Sequence, residues 1–547
     1  MKRISQYILM GAVSLLSVSC SDFLDTVPHD ALSPATTWKT QADAEKFAIG
    51  CYSGWEDGGN LLYMDCTSDF GYNNFPWEGY KDLANGTMSP SNTQIANFYN
   101  FSTIRRCNTF LEKVVDIPFA NETEKKNLIA QVRTIRAYQY FIMNLWYGGV
   151  PIIGNYETAV EAQVPRNTEA EVRKFIADEL DAAIPDLNEM PTGRGLFARG
   201  AALALRMREA LYYGDWQIAK EKAEAIMNMG TYELDPDYQK LFQVAGQNSK
   251  EIIMATQYIP ETYTLFTIGQ MYNNADGGWS SIVPTYNLVD TYEMENGMTI
   301  DEQGSGYNPV HPFKDRDPRL AMTIIYPGAD YLKLDGRTAI FNTLDKKLDG
   351  KKNANFMTTA NNASKTGLTW NKYTYPITQY PDMFNSYACP IVFRYADVLL
   401  TWAEAANELN GPSAEIYAVI NKVRTRVGMP VVNENKYGTK ETLRELIHRE
   451  RAVELAGEGL RRADILRWKV DGKMLAEKVL NGRLERRVGT VSMDASVDPE
   501  VRATINLDAS PEDKLIEERI FQPHHRYFPI KQAIMDKNLK LVQNEGY

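Results

Sequence analysis

Apolar residues recur at helical spacing in two blocks of the chain, roughly 40–230 and 390–470. The clearest unit runs from Arg199 to Gly230 and is broken by Gly214-Asp215. Ala202, Leu205, Ala210 and Tyr213 share one helical face, and Ala219, Ala223 and Ile226 share the next. Small residues at facing positions let two helices approach closely, which is the grammar of tetratricopeptide-like helix pairs. A second unit spans Pro390–Gly428 with a break at Gly411-Pro412, and Gln131–Tyr147 pairs in the same way with Glu169–Leu187. The stretches 41–54 and 92–115 form a looser pair. About four pairs exceed the roughly three that such a stack needs to bury its faces.

Between the blocks, residues 246–388 change texture to Gly, Asn, Asp and Tyr with short β-prone runs and many turn signals, and residues 58–91 share that character. Irregular segments held by a rigid scaffold are where binding sites collect. No Gly/Ser-rich or Pro-rich linker interrupts the chain, so one unit is expected over 40–547. Its parts are helical repeats (40–230 and 390–470), an irregular ligand-side insertion (246–388) and a C-terminal packing segment (471–547). The expected fold class is mostly α, a repeat scaffold carrying loop and short-strand insertions.

The amino terminus decides the compartment. Lys2 and Arg3 precede an apolar stretch from Ile8 to Val18 that is too short to span a bilayer, for which about 20 apolar residues are needed. Residues 1–19 therefore read as a secretory signal. Leu16-Ser17-Val18-Ser19-Cys20 resembles a lipobox, in which Cys20 receives diacylglycerol and residues 20–39 form the lipidated segment. An ordinary cleavage site with a stray cysteine is the alternative.

Charge and cysteine usage narrow the function. The formal net charge is −11 and becomes two units more negative when Lys2 and Arg3 are removed; no basic run is present, which argues against nucleic acid. Cys51, Cys66, Cys107 and Cys389 form no C-x-x-C pair, so structural zinc is not expected. A Cys51–Cys66 disulfide and buried free thiols both fit the sequence. Five histidines include no H-E-x-x-H, and no G-x-S-x-G elbow occurs. Gly193-x-Gly195-x-x-Ala198 lacks a preceding strand, and it is read as the approach to the helix beginning near Arg199. Paired carboxylates for glycoside cleavage are defined by separation in space, so a helical-repeat glycoside hydrolase stays open as the enzyme alternative. A pure protein adaptor is a third reading.

Two aromatic-rich loops carry the candidate ligand site. Sugars offer hydroxyls and flat C–H patches, which aromatic faces and planar polar groups complement. In YMDCTSDFGYNNFPWEGY, residues 63–80, Tyr63, Phe70, Tyr72 and Trp77 alternate with Asp65, Asp69 and Asn73. In MYNNADGGWSS, Trp279 follows a Gly pair beside Asn274 and Asp276. These ten residues are the expected ligand contacts, with Trp77 and Trp279 as the principal stacking rings of one shallow site. Tyr286 and Tyr292 share helical spacing with Leu288 and Val289 and are expected in the core. No cofactor is expected, except that Asn274 with Asp276, or Asp301 with Glu302, offers hard oxygen ligands to a structural calcium ion.

Two charged motifs read as structural. Arg449, Glu450, Glu454, Arg461, Asp464 and Arg467 are spaced to thread an ion network between helices. In Asp315-Arg316-Asp317-Pro318-Arg319, the proline pins a turn and Arg319 can bridge carboxylates.

Ordered motifs over nearly the whole chain give it a family resemblance. They are CSDFLDTVP, VRTIRAYQYFIMNLWYGGVPII, GDWQIAKEKAEAIMNMGTYEL, FKDRDPRLAMTI, FRYADVLLTWAEAANEL, INKVRTRVGM, RERAVELAGEGLRRADILRW, YFPIKQ and LVQNEGY. With these the chain resembles the SusD/RagB family; Glu545 stands where the family commonly has proline. The resemblance implies a SusD-like fold and a non-catalytic lipoprotein at the outer-membrane surface of a Gram-negative bacterium. It also implies capture of glycan, or in some members peptide, for delivery to a SusC-like TonB-dependent transporter. Ligand contacts differ between members and do not carry over by motif.

Overall fold

Threonine, serine or asparagine caps start five of the long helices. The computed structural model describes residues 38–92, 94–357 and 362–547. Helix α1 (Gln41–Tyr52) opens on a capping box between Thr40 and Asp43. After α2 (Ser102–Lys113), α3 (Glu122–Tyr147) begins where Asn121 accepts from the Thr123 amide, and ends on Gly148 in the left-handed region. Thr168 and Glu171 form the box of α4 (Glu169–Ala183). Helix α5 (Arg199–Tyr212) turns at Gly214 into α6 (Trp216–Met229), which stops at Gly230 with positive φ. Later come α7 (Tyr395–Asn410), α8 (Ala414–Arg426), α9 (Lys440–Glu454) and α10 (Arg461–Arg467). Ser413 caps α8 and Thr439 caps α9.

The helices stack in chain order, with α1 on α2, α2 on α3, α3 on α4, α4 on α5 and α5 on α6. Helix α6 then packs on α7, which lies beyond the whole 246–388 segment, and α7 packs on α8 and α9. The insertion therefore loops out of a continuous stack. Ala202, Ala204 and Ala210 of α5 and Ala219 and Ala223 of α6 are fully buried, as close helix approach requires. The protein is mostly helical, as the repeat pattern predicts.

The strands are short and form eight two-stranded antiparallel sheets among the described residues. Ile252–Ala255 pairs with Ile391–Arg394 and ties the insertion's start to the entrance of α7. In the C-terminal segment Gly482–Glu485 pairs with Leu515–Arg519, and Phe528 stacks on Trp146 of α3 at 5.3 Å.

Buried ion pairs fasten the insertion to the helices. Arg319 bridges Asp317 (2.6 Å), Glu450 (2.5 Å) and Glu454 (3.0 Å). Arg394 reaches Glu251, Glu454 and Glu458, each at 2.7 Å. Arg424 joins Glu293 to Glu450, and Arg426 joins Glu251 to Glu454. A second node links α5, α7, α9 and α10 through Arg208–Asp397, Arg451–Asp464 and Arg467–Glu404. Burial alone would raise the Glu454 carboxyl, but Arg426, Arg394 and Arg319 outweigh it and hold the group well below the usual carboxylate range. Both charged motifs singled out in the sequence are thus parts of the frame. Tyr286 and Tyr292 are buried, as their spacing predicts.

Cys51, Cys66, Cys107 and Cys389 are all buried free thiols, so the Cys51–Cys66 pairing is not formed. Cys51 of α1 instead faces Cys107 of α2. Cys20, with the signal segment, lies outside the described residues. No helix among the described residues is long and apolar enough to cross a membrane.

Candidate functional site

The two candidate loops, about 200 positions apart in sequence, are zipped together. Gly71–Asn73 pairs antiparallel with Ile282–Pro284. The Asn74 amide N–H donates to the Ser281 carbonyl (2.8 Å), and the Asn73 side-chain amide donates to the same oxygen (3.0 Å). Beyond this zip the 3-10 turn Pro76–Glu78 presents Trp77, 75% exposed and stacked on Phe75 at 4.7 Å. On the other side Trp279, 37% exposed, lies 5.2 Å from Phe266 and 5.1 Å from Phe384.

Beside these rings a cleft of about 380 Å³ opens between the short helix Gly58–Tyr63, the 76–80 turn and the 258–270 segment. Its floor is Tyr63 stacked on Tyr80 at 4.6 Å, and the Tyr80 hydroxyl donates to Asn60 Oδ1 (2.6 Å). The opposite wall is Tyr258 stacked nearly parallel on Tyr263 at 5.1 Å. A tight turn through Pro260 holds that pair, the Ile259 N–H donating to the Tyr263 carbonyl (2.7 Å). Gly58 permits the two walls to meet: a Cβ there would lie 2.9 Å from Thr256 Oγ1 and from Tyr258 Cε2.

Polar groups line the same space. Asp57 caps the short helix through the Gly59 amide (2.7 Å). Glu78 accepts from the Asn73 side-chain amide on one oxygen and from Gln270 Nε2 (3.3 Å) on the other. Burial pushes the Glu78 carboxyl above its ordinary range, partly opposed by these bonds. Gln94 and Phe266 complete the rim. Aromatic faces beside acceptors and planar amides can bury C–H patches and satisfy hydroxyls together. A larger depression of about 620 Å³ between α1 and α2 has Phe47 as its one lining ring and lacks this combination.

Of the ten expected contacts, Trp77 and Trp279 stand at the surface and Tyr63 is the cleft floor. Five others are interior and unavailable to a ligand. Asp65 accepts from the Gly457 amide (2.6 Å), and burial pushes its carboxyl up to about 6. Asp69 is paired with Arg461 (2.8 Å), whose guanidinium covers the Phe70 ring at 3.9 Å. Tyr72 is fully buried beneath Lys81, and Asn73 is spent on Ser281 and Glu78. Asn274 and Asp276 are half-buried and engaged, Asn274 donating to the Ala354 carbonyl (2.7 Å) and Asp276 meeting the Tyr331 hydroxyl and Lys333.

Sequence reasoning missed Tyr258, Tyr263, Phe266 and Gln270. Their signal was aromatic rings around a Pro-Glu-Thr turn in QYIPETYTLFTIGQ. Of the residues considered as calcium ligands, Glu302 pairs with Lys436 (2.5 Å). Among the described residues no group of three or more His, Cys, Asp or Glu is placed to hold a metal ion.

Comparison with known proteins agrees with the fold. Residues 243–547 match the family model described as the SusD family, and residues 22–210 match one described as starch-binding associating with outer membrane. A relative named SusD-like protein P38 from Formosa agariphila is 24% identical over 500 residues, covering 84% of this chain and 90% of the relative. A crystal structure of a SusD-like carbohydrate binding protein from Bacteroides fragilis superposes with a TM-score of 0.80 at 27% identity, covering 92% of this chain and 99% of that one. A second SusD-like protein of that organism gives 0.77 at 23% identity, covering 95% and 100%. With a family model matching more than half its length, this chain belongs to the SusD family.

Proposed function

We propose that the protein captures glycan in the Tyr63–Tyr263 cleft and passes it, unaltered, to a SusC-like TonB-dependent transporter. In this reading lipid on Cys20 tethers the chain to the outer surface of the outer membrane. The observation that carries it is the convergence of stacked ring pairs, Tyr63–Tyr80 and Tyr258–Tyr263, on a space lined by Asn60, Gln94, Gln270 and Glu78. Trp279 extends the aromatic wall through Phe266, and Trp77 is delivered from the turn that also carries Glu78. The carbohydrate-binding relative in the same family supports glycan over peptide. Each cleft carboxylate keeps one oxygen engaged within the protein, Asp57 on the Gly59 amide and Glu78 on the Asn73 side-chain amide, so each is a fixed acceptor for a sugar hydroxyl.

Calorimetric titration with the best glycan from a neutral and charged panel tests this. Trp77→Ala and Trp279→Ala should each weaken binding more than about tenfold, or about 1.4 kcal/mol. If both variants bind like the unaltered protein, the assignment of these rings is wrong. New reducing ends released by purified protein would replace the binding reading with a glycoside hydrolase, and tight binding of peptides alone would replace glycan with peptide.

A further inference from the structure

The charge of the cleft points to its ligand class. None of the described residues lining it is Lys, Arg or His, and two carboxylates, Asp57 and Glu78, stand on neighbouring elements of its wall. We propose that the cleft selects uncharged oligosaccharides and rejects those bearing uronate or sulfate groups. This rests on the cleft being the glycan site.

Sites that recognise carboxylate or sulfate use guanidinium forks or ammonium groups. The cations next to the two zipped loops are turned to other work. Arg461 is spent on Asp69, while Arg462 donates to the Thr67 and Leu83 carbonyls and Arg519 to the Ser68 carbonyl. Lys81 lies between Tyr72 and Glu517, Lys333 pairs with Asp276, and Lys365 donates to the Asn74 carbonyl (3.4 Å). An anionic sugar in the cleft would meet acceptor oxygens and no countercharge. One carboxylate–anion contact at ~5 Å with an effective dielectric of ~20 corresponds to roughly three hundredfold in affinity. The chain's net charge of −11 adds repulsion at longer range.

The same carboxylates suit a neutral sugar. The second oxygen of Asp57 is not used by its cap, and the Glu78–Gln270 bond, at 3.3 Å, is longer than one a sugar hydroxyl can make. The amides of Asn60, Gln94 and Gln270 both donate and accept, as a hydroxyl-rich, uncharged ligand requires.

The full-length protein is titrated at neutral pH with matched-length panels. One contains neutral gluco-, manno-, xylo- and galacto-oligosaccharides; the other contains oligogalacturonate, oligoguluronate and chondroitin sulfate oligosaccharides. The best neutral ligand should bind more than about tenfold tighter than any anionic one. Its affinity should not change when salt rises from about 10 to about 300 mM, since no ion pair is screened. An anionic ligand that binds tightest, weakens with salt and is lost in Tyr263→Ala overturns the proposal while leaving the cleft as the glycan site. Binding unaffected by Tyr263→Ala, or none from either panel, overturns the reading of the cleft itself.

Discussion

Asp69 shows how a side chain suited to a sugar can serve the fold instead. It is almost fully buried, and both its oxygens face the Arg461 guanidinium at 2.8 and 2.9 Å. Removing one partner of a buried pair strands the other charge, which costs about 3–5 kcal/mol. Asp69→Ala should therefore lower the unfolding free energy obtained from urea titration by an amount in that range while the folded fraction keeps its glycan affinity. Loss of affinity at unchanged stability would make Asp69 a ligand contact after all. The loop from Tyr63 to Tyr80 looked like surface because it is rich in Gly, Asn and Asp. That inference failed because Arg461, Arg462 and Arg519, nearly 400 or more positions away, reach in to satisfy its polar groups. Exposed Trp77 on a Pro-led turn and Trp279 after a Gly pair were legible, since neither turn offers those rings a core to enter.

At the scale of elements, the aromatic wall depends on one short helix. Gly269 lies in Thr267–Met271, and a Cβ there would come within 2.3 Å of the Phe384 ring. That ring packs against both Phe266 and Trp279. Gly269→Ala should displace Phe384 and tilt the wall, weakening glycan binding about five- to tenfold, a change of about 1 kcal/mol of the kind expected from overpacking. Titration beside a thermal unfolding curve checks it, and unchanged affinity would remove Phe384 from the site. The helix pairs themselves were readable, because capping boxes at Thr40 and Thr168 and breaks at Gly214 and Gly411 are local chemistry. The walls contributed by Gly58–Tyr63 and Tyr258–Gln270 were not, because each is a short element with no periodicity to read.

For the whole molecule, stability at low pH is set by carboxylates locked among guanidiniums. Asp397, Glu404 and Glu454 lie deep inside, where burial would raise them, yet their arginine partners hold all three below the ordinary range. A carboxyl depressed by folding stabilises the native state above its unfolded pKa, and that contribution drains away as pH falls through the folded value. From neutrality stability should rise slightly as Asp65, held up at about 6, takes its proton, and then drop steeply once pH passes below about 4, the ordinary carboxylate value. Circular dichroism across an acid titration checks this, and a broad loss centred near pH 6 would place the control elsewhere. Arg394→Met, which takes one of two or more cations from each of Glu251, Glu454 and Glu458, should cost about 3–5 kcal/mol and loosen the insertion from α9.

The sequence alone determined the helical stack, the place of the insertion and the structural role of the charged motifs. Caps, breaks and helical periodicity act over a few residues, and spacing along one helix already says which charges share a face. Only the tertiary structure decided which polar and aromatic residues of the loops face out. A loop side chain's fate depends on partners hundreds of positions away, such as Arg461 for Asp69 or Tyr258 beside Gly58, because burying a polar group without one is costly. The binding cleft is the space those long-range pairings leave open, so its walls were not written in any one segment.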